Sequence, residues 1–137
     1  MNFSQLRREL PELVATGVCR LCSPDTIETL EHGLFTCPNN VQASLSLLTC
    51  VRHVCPDINV KQVLLLQLNV ADQLHLPLVT IISEGLKTIW NLRILSKSIE
   101  PFQVKAALET RASILSGISK FKDDAVNMYR FFEKFPL

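Results

Sequence analysis

Apolar residues recur at helical spacing through most of the chain beyond residue 40. The clearest run is Leu78, Ile81, Ile82, Gly85, Leu86, Ile89, Trp90 and Arg93, one stripe of a 3.6-residue period. Pro77 suits the first turn of that helix, and His75 then falls in the preceding loop or at the cap. Upstream, Val41, Leu45, Leu48, Val51 and Cys55 recur at threes and fours until Pro56 closes the segment. Asp57 is placed to cap a second helix through Val63, Leu64 and Leu66–Leu68. Downstream, Ser98 or Glu100 precedes Pro101, which opens a fourth helix with Val104, Ala107, Leu108, Leu115 and Ile118 on its apolar face. A last helix over Lys122–Lys134 carries Val126, Tyr129, Phe132 and Phe135. No period-2 strand and no internal repeat is visible. Trp90 stands in the apolar stripe and reads as core, with an indole N–H that needs an acceptor.

The first 40 residues differ. Residues 1–18 predict a short helical arm, with Ser4 as cap, Leu6, Leu10, Leu13 and Val14 near one face, Pro11 as a kink and Gly17 as a stop. Residues 19–40 hold three cysteines, a histidine, Pro24, Gly33, Pro38 and Asn39–Asn40 around one apolar pair, Leu34–Phe35. Such a segment buries too little to fold unaided. The expected architecture is therefore all-α: a helical arm (1–18), a small CCHC module (19–40), and a bundle of four or five helices (41–137).

The module's chemistry lies in its spacing, Cys19-x2-Cys22-x9-His32-x4-Cys37. Two cysteines two residues apart can reach one ion from a tight knuckle. Three thiolates and an imidazole suit zinc, and four protein ligands close a tetrahedral site, so one structural Zn²⁺ is expected. Within the spacer, Asp25 or Thr26 is positioned to cap a short helix presenting His32, and Pro38 ends the module. Cys50, His53 and Cys55 invite a second site, but no fourth ligand is evident and buried core thiols explain them better. The Cys19-x2-Cys22 pair lacks the strand before and helix after that a redox motif needs.

Composition narrows the function. With 47% hydrophobic and 20% charged residues among 137, the chain is not disordered as a whole. Fourteen Lys+Arg against thirteen Asp+Glu give a net charge of +1, unlike a histone-type nucleic-acid binder. The balance is uneven, however. Residues 86–137 carry nine Lys/Arg and five acids, a net of +4, and Lys87, Arg93, Lys97, Lys105 and Arg111 can form a phosphate-contacting face. Arg7, Arg8 and Arg20 can add a basic edge beside the knuckle; an ordinary solvated surface is the competing reading for both sets. Phe121, Tyr129, Phe131, Phe132 and Phe135 suit base stacking, or a core or partner-helix seam. Phe3 and Leu6 run directly into Arg7, Arg8 and Glu9, which is not a secretory leader pattern, and no run of eighteen apolar residues exists to span a membrane. Five cysteines, an odd number, then point to a reducing compartment, nuclear or cytoplasmic.

The residues also carry a resemblance. Cys19-Arg20-Leu21-Cys22, followed by Glu28-Thr29-Leu30-Glu31-His32-Gly33-Leu34-Phe35-Thr36-Cys37-Pro38, resembles the zinc-binding segment at the C-terminal end of reverse transcriptases from non-LTR (LINE-type) retrotransposons, with its CxxC and "ETxEHxLxxCP" block. Ile89-Trp90-Asn91-Leu92-Arg93 resembles the "IWxxR" helix that often follows. The strong part covers about 20 residues. The resemblance implies that Cys19, Cys22, His32 and Cys37 are the ligands and that the region binds template RNA or target DNA. The chain is then a fragment, a degenerate copy, or a host gene derived from such an element. Phe121-Lys122-Asp123-Asp124 looks like a polymerase "FxDD", but that chemistry needs a β-hairpin and a further carboxylate to hold two metal ions. The paired acids here fit a helix N-terminus instead.

Two readings follow: a zinc-stabilised nucleic-acid-binding domain, or a zinc-stapled interaction module docking a protein partner or a second copy through an apolar face around Phe131–Leu137. No nucleophile triad, phosphate loop or open metal position suggests an enzyme.

Overall fold

A computed structural model describes Cys19, Leu21, Cys22, Thr26 and residues 28–136. The N-terminal arm therefore lies outside the described residues. The described part is all-helical, with no strand. A π-helical turn at His32–Thr36 is followed by α1 (Val41–Arg52), α2 (Val60–Leu64), α3 (Asp72–Ile94), α4 (Pro101–Ser116), a 3₁₀ turn at Ser119–Phe121 and α5 (Lys122–Phe132).

The long helix α3 is the axis of the fold. It packs against α1, α4 and α5, and the π-helical turn rests on both α1 and α3. Leu78, Ile81, Ile82, Ile89 and Trp90 are buried, as the stripe predicts. Gly85 is the close approach: a Cβ there would stand 2.9 Å from Leu47 of α1. The helix starts earlier than expected, at Asp72, so Pro77 is internal and His75 is helical. Pro77 is the sixth helical residue, and the missing N–H costs only one bond near the start. No helix among the described residues is long and apolar enough to cross a membrane.

Other boundaries follow from local chemistry. Asn59, not Asp57, caps α2: its side chain accepts from the Gln62 N–H at 2.9 Å, and Gln62 accepts from the Asn59 N–H in return. The helix ends at Leu64 because Leu66 turns left-handed (φ 55°) and the Gln67 N–H returns to the Gln62 carbonyl. Ser96 (φ 53°) ends α3 in the same way, with the Lys97 N–H on the Leu92 carbonyl. Pro101 opens α4 as expected, and the Glu100 N–H donates to the Gln103 side chain at 2.7 Å.

Two apolar faces differ from the expected ones. In α1 the buried set is Ala43, Leu47, Leu48, Cys50 and Val51, while Leu45 is 53% exposed. In α5 it is Ala125, Met128, Phe131 and Phe132, while Val126 is 50% exposed and Tyr129 points outward, its ring edge on Phe132. The buried faces include the small residues Ala43 and Ala125. In α4, Ala107 and Leu115 are only half-buried and Ile118 is exposed; Ala112 takes the inner place. Phe131, Phe132 and Phe135 are core residues, so the aromatic part of the face assigned to Phe131–Leu137 for docking is spent inside the bundle; Leu137 lies outside the described residues. Asp123 and Asp124 sit in the first turn of α5, where the helix dipole favours acids.

Candidate metal centre

The knuckle is built by short-range bonds. The Cys19 N–H donates to the Thr26 carbonyl at 2.7 Å, closing the loop that carries Cys19 and Cys22. The turn bearing His32 is capped by Thr29 and not by Thr26: the Thr29 hydroxyl accepts from the His32 N–H at 3.0 Å, while Asp25 lies outside the described residues. The chain then takes one wide turn, with the Cys37 N–H returning five residues to the His32 carbonyl at 2.8 Å. That extra residue per turn swings Cys37 back toward Cys19.

The result is a four-ligand cluster. The sulfurs of Cys19, Cys22 and Cys37 and a ring nitrogen of His32 all lie within 4.8 Å of one another. Cys19 Sγ and Cys37 Sγ are 3.8 Å apart, and Cys22 Sγ and His32 Nε2 are 3.3 Å apart. An ion with bonds of about 2.0–2.3 Å in tetrahedral array sets its ligand atoms about 3.5–3.8 Å apart. The donor set and spacing therefore fit a metal ion. His32 Nδ1 meets the Thr36 hydroxyl at 3.1 Å, which leaves Nε2 for the cluster. Cys19 and Cys37 are buried, and Cys22 lies at the surface. Burial pushes the Cys19 thiol up to about 11, against hydrogen bonds from backbone and Arg93 that pull it down.

The bundle supplies the back wall of the site. Arg93 of α3 is 1% exposed. Its Nη2 donates to both oxygens of Glu28, at 2.8 and 3.0 Å, and stands 3.7 Å from Cys19 Sγ. Its Nη1 donates to Asn40 Oδ1 at 2.9 Å. Burial works against the guanidinium's charge, but Cys37, Glu28 and Cys19 outweigh it, and its pKa is raised. Asn40 is itself buried and reaches the Leu34 carbonyl and Ser44, whose hydroxyl also donates to Leu34. The Trp90 ring lies under the guanidinium, 5.7 Å to its centroid. Gly33 is the only residue type that fits here: a Cβ would stand 2.6 Å from Glu28 Oε1 and 2.9 Å from Trp90 Cζ3. Both groups are held inside the fold. Gly33→Ala is expected to cost about 1–3 kcal/mol through overpacking, read as a lower urea midpoint at unchanged slope. A midpoint equal to wild type would mean that the wall yields.

These placements revise the basic face. Arg93 does not reach solvent: Nη1 is committed to Asn40 and Nη2 to Glu28 and the Cys19 sulfur. Arg111 pairs with Glu84 of α3 at 2.8 Å and is partly exposed. Lys87 and Lys97 are exposed and Lys105 is half-buried. Arg7, Arg8 and Arg20 lie outside the described residues. Cys50 and Cys55 are buried thiols and His53 is exposed. Burial pushes the Cys50 thiol up to about 12 and raises Cys55. Glu28, Asn40 and Ser44 are the site residues that sequence reasoning did not single out as a site. The one available signal was Glu28's place in the "ETxEH" block. Searches of protein-family models, curated proteins and solved structures found no match to the chain.

Proposed function

We propose that the chain is a zinc-stapled helical domain that binds RNA or DNA, of the kind found at the C-terminal end of LINE-type reverse transcriptases. One observation carries the reading. The two segments that bear the resemblance, Glu28 to Pro38 and Ile89 to Arg93, lie far apart in sequence and interlock in space, through Glu28, Gly33, Trp90 and Arg93. Their joint purpose in this reading is one metal-centred unit. Cys19, Cys22, His32 and Cys37 would hold one Zn²⁺, which with no open position supplies structure and not catalysis. A reducing, intracellular setting is part of the same reading.

Lys87, Lys97 and Lys105 are the cations of the basic face that remain unpaired to an acid among the described residues. Fluorescence anisotropy with single-stranded RNA and duplex DNA over a salt series tests the proposal. Changing all three lysines to glutamate is expected to weaken binding at least tenfold and to flatten the logarithmic salt slope for RNA by about 2, at about 0.7 per phosphate contact. No binding by wild type, or binding indifferent to the triple change, would overturn it. The interaction-module reading is favoured by a separate observation, a groove of about 620 Å³ lined mainly by leucines, including Leu30, Leu34, Leu64 and Leu86.

A further inference from the structure

We infer that Arg93 is a positioning residue of the metal centre: its guanidinium hydrogen-bonds the thiolate of Cys19 and offsets the charge of the cluster, so that metal affinity is set by the bundle as well as by the four ligands. The inference rests on the metal reading above and assigns a role to a residue outside the ligand set.

Two observations converge on it. The guanidinium is buried, and its Nη2 stands 3.7 Å from the sulfur of Cys19. The second is charge. Three thiolates around a divalent ion leave −1, the buried Glu28 carboxylate adds another −1, and the one fixed guanidinium in contact with both sets of acceptors offsets half of that sum. Glu28 and Asn40 then hold Arg93 in the orientation that presents its N–H groups to sulfur. Outer partners of this kind commonly change metal affinity by about 10–100-fold.

A merely structural ion pair makes a different forecast, and two substitutions separate them. Arg93→Met and Glu28→Gln both break the ion pair. Only the first removes the cation and the donors from the sulfurs, and Glu28→Gln keeps an amide oxygen to orient the guanidinium. The full chain is titrated with Zn²⁺ against a chromogenic chelator, and with Co²⁺ while following the thiolate-to-cobalt absorption. The expected result is a loss of affinity of about 10–100-fold for Arg93→Met, with a shifted cobalt–thiolate band. Glu28→Gln is expected to stay within about threefold of wild type with an unshifted band. Equal losses in the two variants, or no loss in Arg93→Met, would overturn the inference. Should Arg93→Met fail to fold, Arg93→Lys carries the test beside Glu28→Gln. It keeps the charge but not the planar fork, and is expected to lose more affinity than Glu28→Gln and to shift the band. The reverse order would overturn the inference. If wild type binds neither ion, the metal reading itself fails, and that outcome is distinct from a wild type that binds while the variants match it.

Discussion

Cys37→Ser is expected to abolish stoichiometric metal binding and to release the knuckle from the bundle. Cys37 supplies a buried sulfur 3.8 Å from Cys19, a place that a serine cannot fill. A hydroxyl is a poor zinc ligand, so the variant keeps three ligands and one misplaced charge. The wild-type melting temperature should rise with added Zn²⁺, because an ion bound by the folded state alone stabilises it by about 4 kcal/mol at a thousandfold excess over Kd. The variant should show no such rise. Elemental analysis of both proteins, with thermal melts across a zinc series, reads the two effects together. A variant that still holds one zinc per chain would remove Cys37 from the ligand set.

The same centre has a pH dependence of known sign. A thiol must lose its proton to bind zinc. Cys19 is pushed up to about 11 by burial, so at neutral pH its proton has to be displaced by the ion. Zinc affinity should therefore fall as pH falls, about tenfold per unit for each proton displaced.

How much of this was legible depends on whether the signal was local. The Cys/His cluster was, because Cys-x2-Cys and His-x4-Cys are spacings that a short loop and one wide turn can bring to one point. The helices of the second two-thirds were, through Pro101 and the long stripe of α3. Faces were less so. Leu45, Leu47 and Leu48 offer α1 two apolar sides, and only packing against Gly85 makes Leu47 the inner one. The end of α2 at Leu64 was hidden because a leucine, not a glycine, takes the left-handed position. Arg93 shows both sides of the problem. Its place in the apolar register was visible, yet a cation at that position reads as surface until its counter-ion is known. Glu28 lies 65 residues away in a stretch with no periodicity. No local rule pairs them.

That pairing yields a second large expectation, in stability. Removing one member of a buried ion pair leaves an uncompensated charge and commonly costs about 3–5 kcal/mol. Arg93→Met should do this, since it strands Glu28 beside Gly33 and also leaves Asn40 Oδ1 without its donor. Against a total of about 5–15 kcal/mol, such a loss is a large share of the fold's stability. Adding Glu28→Leu to Arg93→Met should recover most of it, because a buried pair replaced by apolar groups is often neutral or stabilising. Urea melts of the two single variants and the double give the coupling directly. The double variant separates two roles of one side chain. If Arg93 served only to balance Glu28, removing both would restore metal binding along with stability. If it also serves the thiolates, the double variant should be stable and still weak for zinc. Losses in stability that simply add would mean that the two residues are not an energetic unit, and that the knuckle is held to α3 by Trp90 and Gly33 packing alone.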